Sequence, residues 1–589
     1  MKVSAIAAVL LAVVGGAAAG LNPRGIDAAG QIRLAYHGDD AMVVSWNTFE
    51  HVAAPEVRWG LSRDKLDRTA RSDTSVTYPT SSTYNNHVLV AGLRPDTTYY
   101  YLPSPLPQGR PPAPYTFTTA RAAGDPQPYS VAVVIDLGTM GRLGLTDHAG
   151  KGARPENILK PGEKNTIDSL AGTSATWDFI LHPGDIAYAD YWLKEEIAGF
   201  LPNTSIADGH TVYEAILNDF YDEMAVVTAA KPYMVGPGNH EANCDNGGTT
   251  DKARNITYDV SICSPGQTNF TGYKNHFRMP SDVSGGTGNF WYSFDHGMAH
   301  FIQLDTETDL GHGFVGADEI GGDAGEGVSP VNATLNAQTE WLAADLAAVD
   351  RAKTPWVVVA GHRPWYLSKK NETGSICWSC KDVFEPLFLR YGVDLYLSGH
   401  AHVYERQAPL ADGRADPREL DNPAAPWYIT NGAAGHYDGL DDLLPAPQRQ
   451  RYSRFALDVS NATYGWSRLT FHNCTHMTHD FVASNNDSVL DSATLFKDRR
   501  CSLTKGGGSH GNGTVTTGGQ HGNGTGAQTT TCSAPGGPAT SSSTKSLGAT
   551  ASPKGPSATH SSTTVPVSSS GSRVAAVTVL GLVGLFACL

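Results

Sequence analysis

No cluster of lysine and arginine occurs along this 589-residue chain, whose 43 basic and 58 acidic side chains leave a formal net charge of -15. Nucleic-acid backbones are gripped by grouped cations, so a nucleic-acid partner is excluded. Long apolar runs are missing too: the N-terminal run stops at Val14, and the C-terminal one, 574–589, is short for a bilayer span. Beyond Cys501 apolar side chains become scarce. Gly, Ser, Thr, Asn and Pro take over, with near-repeats at 509–514 and 520–525, and such a segment cannot bury enough area to fold. The Gly- and Asp-rich stretch 311–327 lacks the regular spacing of a calcium loop and reads as an irregular loop.

What is present at the ends is patterned. Met1-Lys2, an apolar run and Ala17-Ala18-Ala19 have the layout of a secretory signal peptide, 1–19. The tail 574–589, with small residues and a polar spacer ahead of it, suits a removed glycolipid-anchor signal behind a low-complexity stalk, 503–573. Sequons at Asn203, Asn255, Asn269, Asn332, Asn371, Asn461, Asn473, Asn486, Asn512 and Asn523 fit N-glycans on a secreted, cell-surface protein. Eight cysteines in such a chain imply disulfides. Closeness in sequence suggests Cys244 with Cys263, Cys377 with Cys380 and Cys474 with Cys501, leaving Cys532 odd and Cys588 in the tail. Cys377-Trp-Ser-Cys380 alternatively fits redox or zinc chemistry.

Forty per cent apolar residues can fill real cores between these ends. From 20 to 124 short alternating runs (32–36, 42–46, 57–59, 87–90, 98–101, 115–118) are separated by Gly, Pro and Asp turns, a β-sandwich signature with Trp46 and Tyr99 as core aromatics. The stretch 93–99 resembles a turn of fibronectin type III domains. Residues 120–128 form a hinge. Strands then alternate with helical stretches, clearest at 213–230 and 336–349, as in a layered α/β domain, 125–502, whose closing strands lie in 426–480.

Five short motifs each follow an apolar, β-branched run: Asp136-Leu-Gly, Gly184-Asp-Ile-Ala-Tyr188, Gly238-Asn-His-Glu241, Gly361-His362 and Gly399-His-Ala-His402. Ligands of an open α/β sheet bind beyond the carboxyl ends of its strands, so all five point at one crevice. Singly each motif is weak. Their ordered set resembles the dimetal phosphoesterases, and Tyr188, three residues after Asp185, narrows the resemblance to the purple acid phosphatase family, supported by Gly361-His-Arg-Pro364 and Gly399-His-Ala-His-Val-Tyr-Glu-Arg406.

The resemblance implies that Asp136, Asp185, Tyr188 and His402 hold a ferric ion, while Asn239, His362 and His400 hold a divalent one (Zn, Mn or Fe), with Asp185 bridging. Hard oxygen ligands suit the trivalent ion, and imidazole and amide ligands suit the other. It further implies a phosphomonoesterase working on small phosphate esters in acid, by attack of a hydroxide made available by the metals. His240, beside Asn239, would protonate the leaving oxygen or help bind phosphate with Asn239, held in place by Glu241. Alternatively His240 only orients Asn239. Plant relatives carry a substrate-binding histidine pair where this chain has Asn371 and Glu372, so either the loop through Cys377 and Cys380 is differently shaped or substrate contacts come from elsewhere, with His436 or Tyr437 as the candidates. Two other functions fit parts of the pattern. One is a phosphodiesterase or nucleotide-cleaving relative, against which Tyr188 argues. The other is a non-catalytic adhesion protein, against which the complete ligand set argues.

Overall fold

The computed structural model describes residues 29–500, apart from 107–111, 141–162, 194–207, 246–249, 252–255, 258–261, 308–336, 370–374, 436–438 and 458–462. The two ends, the stalk and the loop 311–327 therefore lie outside the described residues, as do Cys501 and Cys532.

The N-terminal runs pair as two four-stranded antiparallel sheets. One has the order Gly30–Tyr36, Ala41–Thr48, Tyr84–Ala91, Ser75–Val76; the other Arg68–Arg71, Glu56–Gly60, Thr98–Pro103, Tyr115–Thr118. Trp46 and Tyr99 are buried between them as expected. The Arg94 N–H donates to the Tyr99 hydroxyl at 2.9 Å, tying the turn to its strand in the manner of sandwich domains. The strand Ala41–Thr48 is buried at every position. Alternation is lost because the first sheet's outer face is also covered: Leu34 bridges Pro232, the Gln31 amide donates to Asn218 Oδ1 at 3.0 Å, and the Arg33 guanidinium donates to the His276 carbonyl at 2.6 Å.

After a strandless link the chain builds two mixed sheets. The first runs Tyr233–Gly236, Ile180–Pro183, Tyr129–Val133, Gly465–Phe471, His476–Ala483, Val489–Phe496, parallel through its first three strands. The second contains Tyr292–His296, Ala299–Gln303, Trp356–Ala360, Leu395–Ser398, Trp427–Asn431 and Tyr404–Ala411, parallel from Ala299 through Trp427. Phe179, Phe301 and Phe471 meet edge to face in one core shared by both sheets. The expected helices occur as Gly209–Thr228 and Ala337–Ala348. Disulfides join Cys244 to Cys263 and Cys377 to Cys380, and Cys474 is disulfide-bonded. Among the described residues no helix is long and apolar enough to cross a membrane.

Candidate metal centre

In each of the five motifs the first candidate ligand lies two or three residues beyond a strand: Val133 precedes Asp136, Pro183 precedes Asp185, Gly236 precedes Asn239, Ala360 precedes His362 and Ser398 precedes His400. There the backbone turns sharply. Asp136, Asp185, Tyr188 and His400 all adopt positive φ, 61°, 53°, 55° and 64°. Side chains rarely take this left-handed conformation, and strain of this kind persists only where the surroundings impose it. Close backbone approach adds a second constraint. A Cβ on Gly399 would stand 2.3 Å from Asp136 Oδ2, and Gly184, at φ 98°, would carry one 2.8 Å from His362 Nδ1.

The turns bring all seven expected side chains together. The Tyr188 hydroxyl lies 2.8 Å from Asp136 Oδ1, 3.1 Å from Asp185 Oδ2 and 2.8 Å from His402 Nε2. Beside this group, Asn239 Oδ1 is 3.1 Å from His362 Nε2 and 3.0 Å from His400 Nδ1; the two ring nitrogens are 3.2 Å apart, and His362 Nε2 is 3.1 Å from Asp185 Oδ2. Asp185 thus stands between the two groups. Donor atoms of Asp185, His362 and His400 fall within 4.8 Å of one another.

These contacts cannot all be ordinary hydrogen bonds. One phenolic proton faces two carboxylates and an imidazole, and Asn239 Oδ1 is an acceptor against two nitrogens that also face each other. Buried donor atoms gathered this closely fit metal ligation: oxygens of Asp136, Asp185 and Tyr188 with His402 Nε2 in one group, imidazole nitrogens and an amide oxygen in the other. Burial pushes Asp136 up. Burial also works against the Asp185 charge, but His362, His240 and His400 hold that carboxyl well below the usual range. Burial opposes a charge on His362 as well, yet Asp185 and Asp136 raise it to about 9, and His402 rises beside Asp136 for the same reason. The carboxylates draw protons onto imidazoles that metal binding would displace.

One expected contact is corrected. Glu241 does not hold His240: its carboxylate accepts the backbone N–H groups of Asp185 at 2.9 Å, Ile186 at 2.8 Å and Gly238 at 2.8 Å, fastening one metal-site turn to the next. Three amides take up most of the carboxylate's accepting capacity and orient it toward the backbone, and among the described residues it makes no hydrogen bond to the His240 ring. His240 Nδ1 instead meets Asp190 Oδ2 at 2.5 Å, and its ring lies 4.3 Å from that of Tyr188. Asp190 was the residue missed, although it closes the same motif, Gly184-Asp-Ile-Ala-Tyr-Ala-Asp190. A carboxylate five residues after a ligand aspartate was the available signal. Near the mouth, the His402 N–H donates to Asp441 Oδ2 at 3.0 Å, and Lys369 Nζ meets the same oxygen at 2.7 Å. Asn371, Glu372, His436 and Tyr437 lie outside the described residues.

Two mixed sheets with paired metal-ligand turns at their strand ends define a dimetal phosphoesterase. Comparison with known proteins makes the class specific. Family models match at residues 29–119 (Purple acid Phosphatase, N-terminal domain), 144–404 (Calcineurin-like phosphoesterase) and 425–492 (Iron/zinc purple acid phosphatase-like protein C). The chain is 38% identical over 491 residues to acid phosphatase A of Cryphonectria parasitica, covering 79% of this chain and 91% of that protein. It is 32% identical over 521 residues to an acid phosphatase of Aspergillus ficuum, covering 75% and 82%. In fold it resembles the purple acid phosphatase PPD1 of yellow lupin, with TM-score 0.56 and 19% identity over 80% of this chain and 74% of that one. The chain belongs to the purple acid phosphatase family, and it is a dimetal acid phosphatase.

Proposed function

We propose that this phosphatase releases phosphate from small monoesters at a centre of one ferric ion, held by Asp136, Asp185, Tyr188 and His402, and one divalent ion (Zn, Mn or Fe), held by Asn239, His362, His400 and the shared Asp185. The observation that carries the reading is the Tyr188 hydroxyl, a single donor surrounded by Asp136, Asp185 and His402 within 3.1 Å. A Tyr188 phenolate there would suit a trivalent cation better than three competing hydrogen bonds. The ferric and divalent ions together would supply an activated water and neutralise charge on the phosphate oxygens.

The chain's own groups do the rest. His240, 9% exposed, projects from the turn that bears Asn239 and delivers a proton to the leaving oxygen or fixes a phosphate oxygen. Asp190 fixes which ring nitrogen of His240 carries its proton inward, because Nδ1–H is committed to the carboxylate. Glu241 keeps the turns that carry Asp185 and Asn239 in register. The signal peptide 1–19, the sandwich 20–124, the catalytic domain 125–502, the glycosylated stalk 503–573 and the anchor signal 574–589 together give a secreted enzyme displayed at the cell surface; composition and motif order support that layout.

The test is metal analysis with a visible spectrum and hydrolysis of p-nitrophenyl phosphate at acid pH. Iron with a second metal, a purple band and turnover are expected, and Tyr188→Phe should abolish the band. Protein that binds no iron and stays inactive after iron is restored overturns the proposal.

A further inference from the structure

Away from the metal centre, a cleft of about 560 Å³ opens where the sandwich meets the helix Thr271–His276 and the segment that follows it. Val43, Val88 and Leu89 form one wall and Met279 and Phe290 the other. Leu89 keeps 44% of its surface exposed on the strand Tyr84–Ala91, an outward-facing leucine at the cleft rim.

The charge in this cleft is one-sided. Arg278 Nη1 donates to the carbonyls of Phe277 at 2.7 Å and Lys274 at 2.8 Å, while its Nε and Nη2 have no partner among the described residues. Lys274 lines the same space. Behind it the buried Arg33 bonds only neutral oxygens, those of His276, Gln31, Asn47 and Asn85. His87 is committed to Ser45 Oγ at 2.8 Å and the Asn275 carbonyl at 2.9 Å. The carboxylate lining the cleft, Asp282, is turned to His37 at 3.0 Å with its side chain 72% exposed. Burial lowers the Arg278 guanidinium, the cost of desolvating a cation with no carboxylate beside it. In a chain of net charge -15 this local excess of cations is complementary to an anion.

We infer that the cleft binds a small organic carboxylate, its acid group held by the free Nε and Nη2 of Arg278 and its apolar body laid on Leu89, its cross-strand neighbour Val43 and Phe290. A guanidinium edge with two parallel N–H groups matches a carboxylate in both spacing and plane. A mostly apolar cleft of this volume at a domain seam, with one convergent charge, has the make-up of small-molecule sites. None of its lining residues belongs to the metal centre, so the site is separate from that of the phosphate ester.

Calorimetric titration of the metal-loaded full chain with 2-naphthoate tests this, with inorganic phosphate added to occupy the metal centre. Binding with a Kd of about 0.1 mM is expected. The uncharged 2-naphthamide and the Arg278→Met variant should each bind about tenfold more weakly. Leu89→Asp, at an exposed strand position that leaves folding and p-nitrophenyl phosphate hydrolysis intact, should abolish binding. Absence of 2-naphthoate binding to the unaltered chain, equal affinity for the amide, or full affinity in both variants would overturn the inference.

Discussion

Asp190 shows what a single side chain contributes here. It is 1% exposed, and Oδ2 sits 2.5 Å from His240 Nδ1. Without that acceptor the His240 ring can rotate and exchange its protonated nitrogen, although every metal-site side chain is still in place. Asp190→Ala should therefore lower kcat about 10- to 100-fold while metal content is retained. The loss should be greater for alkyl phosphates, whose leaving oxygen needs a proton, than for p-nitrophenyl phosphate, whose leaving group does not. Steady-state kinetics on the two substrate types separates this from a general loosening of the site, which would slow both alike. Tyr188→Phe is the complementary case, expected to lose the visible band because the proposed centre draws that band from the Tyr188 phenolate.

At the scale of elements, the site is a set of strand ends that turn where left-handed backbone is imposed. Gly399 closes the turn after Leu395–Ser398, and its missing side chain admits Asp136 Oδ2. Gly399→Ala would drive a methyl group into that carboxylate and into Ile135, which should cost about 1–3 kcal/mol and lower the iron content of purified protein. Normal iron with unchanged stability would show that the turn yields freely. The strands before these turns were legible because buried parallel strands read as continuous Val, Ile and Leu runs ended by Gly and Asp: the apolar run 131–135 ahead of Asp136 overlaps the strand Tyr129–Val133, and the run 356–359 ahead of His362 overlaps Trp356–Ala360. The pairing of Gly465–Phe471 with Tyr129–Val133 was not legible, because it joins segments more than 300 residues apart and leaves no local pattern. Glu241 was misassigned for a related reason. Adjacency to His240 suggested a side-chain contact, whereas the tight turn aims its carboxylate back at three amides.

For the whole molecule, an enzyme expected to work in acid carries a structural cost in its own core. His479 is fully buried, with Nε2 at 2.9 Å from Ser467 Oγ, and burial lowers its pKa to about 4; burial takes His182 to about 3. His87 and His276, at the seam between sandwich and catalytic sheets, are lowered by burial in the same direction. An unfolded histidine takes a proton near pH 6.5, and a native one held below that value does not, so these groups cost nothing above pH 7 and progressively destabilise the fold as pH falls. At pH 5 the penalty is about 2 kcal/mol each for His479 and His182. His300 acts in the opposite sense. Burial disfavours its charge, yet Asp295 and Asp345 raise its pKa to about 9, so its contribution is complete below pH 6.5 and is lost only as pH rises through 9. The acid side is therefore dominated by the neutral core histidines. Urea unfolding of the full chain should lose stability between pH 7 and pH 5, and His479→Gln, which keeps a donor for Ser467 and cannot be protonated, should lose about 2 kcal/mol less over that interval. An unchanged pH slope in that variant would mean that His479 is already charged in the native core, and the acid sensitivity would then have to come from the carboxylates instead.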